Sequence, residues 1–208
     1  MIHTTSLAES VPKSWRNGGG STQELLVWPV PDSWMLRVSV ARIQQHGPFS
    51  AYEGIERWFA VIDGAGVTLQ FAASEIVMNP QSDPLHFNGA AAPACELLAG
   101  ATQDLNLMVQ RDRGHGAMRL ARVGTPWLSA APFRAAYVAD ASTLLIDDLP
   151  DMQVSEGTLV WDDDAAHQLW QLIDSERHAT TRAWWMEMTP HADARTVPVA
   201  DGPVGQAT

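Results

Sequence analysis

Arg37, Arg57, Glu24, Thr22 and Asn106 stand at alternating positions of otherwise hydrophobic runs. A guanidinium offers a planar fork of donors, and an amide offers both donors and an acceptor. Converging in an enclosed space, such groups make a natural site for a carboxylate. Each residue taken singly has a simpler reading, as part of the wet outer face of a strand. Near the start of the chain, "WRNGGGSTQEL" (15–25) adds an aromatic, a cation, an amide and two hydroxyls beside three glycines. Glycine there implies either a loose loop or main chain that comes close to a ligand.

Other chemistry is less well served. No Gly-x-Ser-x-Gly elbow is present, and the single cysteine, Cys95 in "PACELL", has no evident activating base. It reads as a small buried side chain. Glu24, Glu53, Glu56 or Asp104 could work as an acid–base pair across a cavity, although turns and salt bridges account for any one of them more simply. The stretch from His46 to Gly66 resembles the first motif of a cupin: a loop, a Glu, an apolar strand and Gly-x-Gly. Metal-binding cupins add a His-x-His pair to that Glu. Here His46 is followed by Gly47-Pro48, and the remaining histidines lack close metal-type spacing. No metal and no cofactor are expected.

These side chains need a scaffold, and period two is the dominant pattern. In "WMLRVSVARI" (34–43), Trp34, Leu36, Val38 and Val40 fall on one face, and Met35, Arg37, Ser39 and Ala41 on the other. In "QDLNLMVQ" (103–110), Asp104, Asn106 and Met108 oppose Leu105, Leu107 and Val109. The run 56–71 reads as a hairpin around Asp63-Gly64-Ala65-Gly66. Ser21 to Glu24 fits a helix-capping box, but Pro29 and Pro31 cut the apolar run short, so a strand with Thr22 and Glu24 on one face is preferred. Further strand-like runs follow in "AYVADASTLLIDDLP", "GTLVW" and "RAWWMEMTP". Residues 162–176 fit either a capped helix, or a loop feeding a strand in which His167, Leu169, Gln171 and Ile173 share a face. Many short strands separated by turns indicate an all-β sandwich or barrel.

The 208 residues suffice for one large domain or two small ones, and 46% hydrophobic with 18% charged residues is a globular balance. A formal net charge of −11 argues against a nucleic-acid partner. No signal peptide and no membrane-length apolar run is evident, so a cytoplasmic protein without membrane association is expected.

Three stretches together resemble the HutD/Ves family of bacterial cupin-like proteins: "WRNGGGSTQEL" (15–25), "WMLRVSVARIQQHGPFSAYEGIERWFAVIDGAG" (34–66) and "FNGAAAPACELLAGATQDLNLMV" (87–109). The second half carries only echoes, "LLIDDLP" and "WWMEMTP". The resemblance implies an all-β bicupin: a cupin-like barrel or sandwich over residues 1–110 with the polar pocket, a second over 111–190, and a poorly ordered tail over 191–208. It brings no established catalytic activity. It suggests a sensor or modulator of amino-acid (histidine) catabolism or stress response, with a small acid such as formylglutamate as ligand. Carried over position by position, the ligand-binding residues are Trp15, Asn17, Thr22, Glu24, Arg37, Arg57, Asn106 and Met108. One departure is Tyr52-Glu53 where Phe-Pro is often found before Gly54, which would put a carboxylate near the loop. Two other readings stay open: a cofactor-free isomerase, epimerase or hydrolase with Glu24 as general base, and a scaffold using its nine tryptophans at an interface. A homodimer is compatible with either.

Overall fold

The computed structural model describes residues 1–164, 167–173 and 181–192. Its strands form four antiparallel sheets, two built within residues 13–110 and two almost wholly from residues 114–190. The first half holds a six-stranded sheet in the order Lys13–Ser14, Gly20–Trp28, Leu36–Ile43, Thr102–Gln110, Ile55–Asp63 and Leu85–Asn88. A small sheet of Gly47–Pro48, Ala94–Leu97, Val67–Gln70 and Glu75–Met78 faces it. In the second half Thr158–Asp162, Phe133–Val138, Ala183–Pro190 and Gly114–Leu120 form the larger sheet, and Trp127–Ser129, Gln168–Ile173, Ser142–Ile146 and Met152–Val154 the smaller one. No sheet closes on itself, so each half is an open pair of sheets and not a closed barrel.

Alternation along the strands decides how the sheets stack. Leu36, Val38, Val40, Leu105, Leu107, Val109, Trp58 and Ala60 point away from the small sheet, into one core shared with Phe133, Ala135, Tyr137, Trp184 and Met186 of the second half. The two large sheets therefore lie back to back. The opposite faces pack on the small sheets: Phe59 and Val61 against Val67, Leu69 and Cys95 in one half, and Ala136 and Val138 against Trp170 and Leu172 in the other. Burying one Leu- or Phe-sized side chain is worth about 1.5–3 kcal/mol, and the central core spans both halves, so the large sheets hold each other in place. Helix among the described residues is confined to short 3₁₀ turns such as Leu7–Glu9. Among the described residues no helix is long and apolar enough to cross a membrane.

Several expectations change. Asp63-Gly64-Ala65-Gly66 does not close a hairpin: Ile55–Asp63 and Val67–Gln70 lie in different sheets, and the glycines turn a corner between them. A Cβ on Gly66 would sit 2.1 Å from the Met78 carbonyl oxygen, so this corner admits no side chain. His3–Ser6, assigned by sequence to the first unit, pairs instead with Thr158–Asp162 at the edge of the second half. Gln168–Ile173 is a strand, but its buried face is Trp170 and Leu172; Leu169 and Ile173 are exposed. Of the two readings the sequence left open, helix or strand, the strand holds for this run; both its faces carry apolar residues, so alternation did not say which side turns inward. The tail beyond residue 192 lies outside the described residues.

Candidate ligand-binding site

Three rows of side chains cross the large sheet of the first half, on the face toward its small partner. Thr22, Ala41, Asp104 and Val61 form one row, Glu24, Ser39, Asn106 and Phe59 the next, and Arg37, Met108 and Arg57 the third. Neighbouring strands lie about 4.8 Å apart, so the two arginines start from backbones about 10 Å apart with Met108 between them. Two register irregularities flank the site, one between Glu24 and Leu26 and one beside Asp104. Such bulges redirect side chains at the rim of a binding face.

The glycine-rich segment closes one wall. Lys13–Ser14 pairs with Ser21 and Thr22, and the chain reverses through Gly18 in the left-handed region at φ +72°. Gly20 leaves no room for a Cβ, which would lie 2.2 Å from the Arg42 carbonyl oxygen and against the Trp15 ring. The Asn17 side-chain oxygen accepts from the Gly19 amide at 3.0 Å. Trp15 Nε1 donates to Thr22 Oγ1 at 2.8 Å, which pins the indole across the strand end. The glycines thus serve a tight reversal and close packing, and Ser21 to Glu24 is strand and not helix cap.

Between this hairpin, the loop at Pro48–Tyr52 and the large sheet lies a cavity of about 510 Å³. All eight residues singled out from the sequence line it. Its floor is a polar chain. Arg57, 7% exposed, donates from Nε and Nη2 to Asn106 Oδ1 at 2.9 and 2.6 Å. Asn106 Nδ2 in turn donates to Asp104 Oδ2 at 2.5 Å. The amide orientation is thereby fixed, with oxygen toward the cation and nitrogen toward the carboxylate. The Arg57 guanidinium also stacks 4.4 Å from the Phe49 ring centroid, an arrangement that favours a cation. Nearer the mouth, Arg37 Nη2 donates to Glu24 Oε2 at 2.7 Å, with about a third of each side chain exposed.

Burial governs the ionisation of the floor. It pushes the Asp104 carboxyl up to about 7, although Arg57 and the Asn106 hydrogen bond pull the other way. Burial likewise lowers Arg57, against the pull of Asp104. Cys95 is buried behind this layer and its thiol is pushed up to about 12, chiefly by burial, so it packs and does not attack.

Asp104, Ser39, Phe49 and Tyr52 also line the cavity but were not among the eight. For Asp104 and Ser39 the signal was available, since alternation puts them on the faces of Asn106 and Arg37. Phe49 and Tyr52 come from a loop, where no periodicity speaks. The anticipated loop carboxylate does not reach the site: Tyr52 lines it, whereas Glu53 borders a separate, shallower depression beside Trp34 and Arg111. Glu56 leaves by the opposite face and bonds Arg111 and His86. His46, at the place where a metal-binding cupin has ligands, accepts from the Leu97 amide at 3.0 Å. Among the described residues no group of three or more His, Cys, Asp or Glu is placed to hold a metal ion.

The paired open sheets with a polar pocket between them have a cupin-like fold. A mutant of Bacillus subtilis oxalate decarboxylase has the same fold, with TM-score 0.60 and 9% identity over 90% of this chain and 77% of that one. The model of the HutD family matches residues 7–178, and the chain belongs to that family. HutD from Pseudomonas fluorescens SBW25 superposes with TM-score 0.79 at 23% identity, covering 92% of this chain and all of that one. In sequence, the Citrobacter koseri protein Ves is 32% identical over 109 residues, which is 51% of this chain and 57% of that protein. A protein encoded beside hutC in Pseudomonas putida matches to the same extent. The chain thus spans little more than half the length of the curated relatives it matches.

Proposed function

We propose that this chain binds a small carboxylate-bearing metabolite in the cavity and acts as a sensor or modulator without catalysing a reaction. One observation carries the reading. The chain has 13 Lys and Arg and a net charge of −11, yet Lys13, Arg16, Arg37 and Arg57 all line this one cavity, against only Glu24 and Asp104. A local excess of cations in an acidic protein, with one guanidinium deep in an aromatic wall, draws in a small anion and holds it. HutD/Ves kinship supports a place in histidine utilisation and N-formylglutamate as a ligand to try first. The chemistry suits a cytoplasmic bicupin in which the first cupin-like unit carries the pocket and the second supports it.

The enzymatic alternative with Glu24 as general base is weakened by geometry. Its carboxylate is bonded to Arg37, so its role is to position that arginine.

Titration calorimetry with formate and N-formylglutamate tests the reading. Arg57→Ala is expected to weaken binding of the better acid by about 2–5 kcal/mol, the range for truncating one partner of a buried charge pair. Unchanged affinity in a folded variant would remove Arg57 from the site and the proposal with it.

A further inference from the structure

The cavity floor contains an acceptor that the protein itself does not satisfy. Asp104 is 1% exposed and one of its oxygens, Oδ2, takes the Asn106 amide. The other, Oδ1, is buried with no hydrogen-bond partner among the described residues. Its row neighbours explain why: Ala41 and Val61 flank it across the strands, and neither side chain can donate. Asn106 has spent its oxygen on Arg57, and Arg57 is turned toward that oxygen. A buried carboxylate oxygen without a donor is costly, and of the buried side-chain polar atoms left unpartnered among the described residues this is the one that belongs to a carboxylate.

We propose that Asp104 is a second recognition point: its Oδ1 accepts a hydrogen bond from an N–H or O–H group of the bound acid, so the cavity prefers amido, amino or hydroxy acids to plain carboxylic acids. This rests on the carboxylate reading above and narrows it. Asp104 and Asn106 are two residues apart on one strand, a step of about 7 Å, so one small molecule can span the arginine and the carboxylate. Thr22 stands at the end of the same row. Its oxygen already accepts from Trp15, and its own hydroxyl proton is available to a carbonyl on the ligand. The site therefore offers cation, acceptor and hydroxyl donor in sequence, a pattern that an N-acylated amino acid complements group for group.

N-acetylglycine and levulinate test this, because they have the same outline and differ by an N–H in place of a CH₂. Calorimetry on the intact chain at about pH 8.5, where the Asp104 carboxyl pushed up to about 7 is ionised, is expected to show N-acetylglycine binding about 10- to 100-fold more tightly, the range for a hydrogen bond to a charged group. In Asp104→Asn an amide nitrogen can take the place of Oδ1 while the oxygen still serves Asn106, and the preference should collapse to about twofold or less. Equal affinity of the wild type for both acids overturns the proposal while leaving the carboxylate reading intact, and it does so whether or not the variant folds. A preference that survives in folded Asp104→Asn overturns it too. If neither acid binds the wild type, the carboxylate reading fails and takes this proposal with it.

Discussion

Each half of the molecule buries an arginine and an aspartate between its large and small sheets, and the two pairs are built differently. In the second half Arg134 stands directly across the sheet from Asp162, and both side chains are fully buried. Nη1 reaches Asp162 Oδ2 at 3.3 Å, while Nη2 donates to the carbonyls of Ala131 and Asp164 at 2.7 and 2.6 Å. The α-amino group of Met1 occupies the other Asp162 oxygen at 2.9 Å. In the first half Arg57 stands opposite Met108, leans to Asn106, and meets Asp104 only through that amide. One aspartate has both oxygens engaged by protein; the other leaves one without a donor among the described residues. A direct pair with both carboxylate oxygens engaged braces the fold, whereas a pair held apart by a neutral amide keeps acceptor capacity for something else.

The largest expected effect tests the bracing half. Arg134→Met leaves a buried Asp162 with only the Met1 ammonium as a cation and should cost about 3–5 kcal/mol of stability in urea unfolding, the range for breaking a buried pair from one side. Arg57→Met should cost clearly less, since Asp104 can take up a proton when its cation is removed. Equal losses would erase the contrast.

The next effect is a pH slope belonging to the open half. Arg57, Asn106 and Cys95 surround Asp104, and the balance leaves its folded pKa at about 7, above the unfolded value near 3.8. Below pH 4 both states are protonated and nothing is lost. Between about pH 4 and 7 the unfolded chain ionises first and the folded one holds its proton, so stability falls as pH rises, by at most about 1.4 kcal/mol per unit. Above 7 the slope ends. Unfolding measured across this range should show the slope in the wild type and its loss in Asp104→Asn; parallel curves would mean that Asp104 ionises normally.

The smallest effect lies at the mouth. Glu24→Gln breaks a partly exposed pair and should change stability by less than about 1 kcal/mol, while loosening Arg37. A loss on the scale of Arg134→Met would mean that the mouth is as rigidly braced as the second half.

Much of this was legible in sequence because strand alternation is local. Asn106 and Met108 against Leu105 and Leu107, or Arg37 against Leu36 and Val38, needed only neighbouring residues to assign their faces. What failed depended on distant partners. Asp63 to Gly66 announces a turn, but whether its flanking strands pair depends on Thr102–Gln110 and Ala94–Leu97, which arrive later and take those edges. The His3–Ser6 strand carries no mark of its partner more than 150 residues away. Asp104 shared a face with two residues that were chosen, yet a lone carboxylate reads more simply as a turn or surface group. Only coordinates show that one of its oxygens has nothing to bond.

The placement of that first strand has a practical reach. Because His3–Ser6 is stitched into the far sheet while residues 13–110 build the near ones, the polypeptide clasps its own two halves together. A nick in the short turn between Gln110 and Gly114 would sever the chain without freeing either piece, and the second half expressed alone would lack the His3–Ser6 edge of its large sheet.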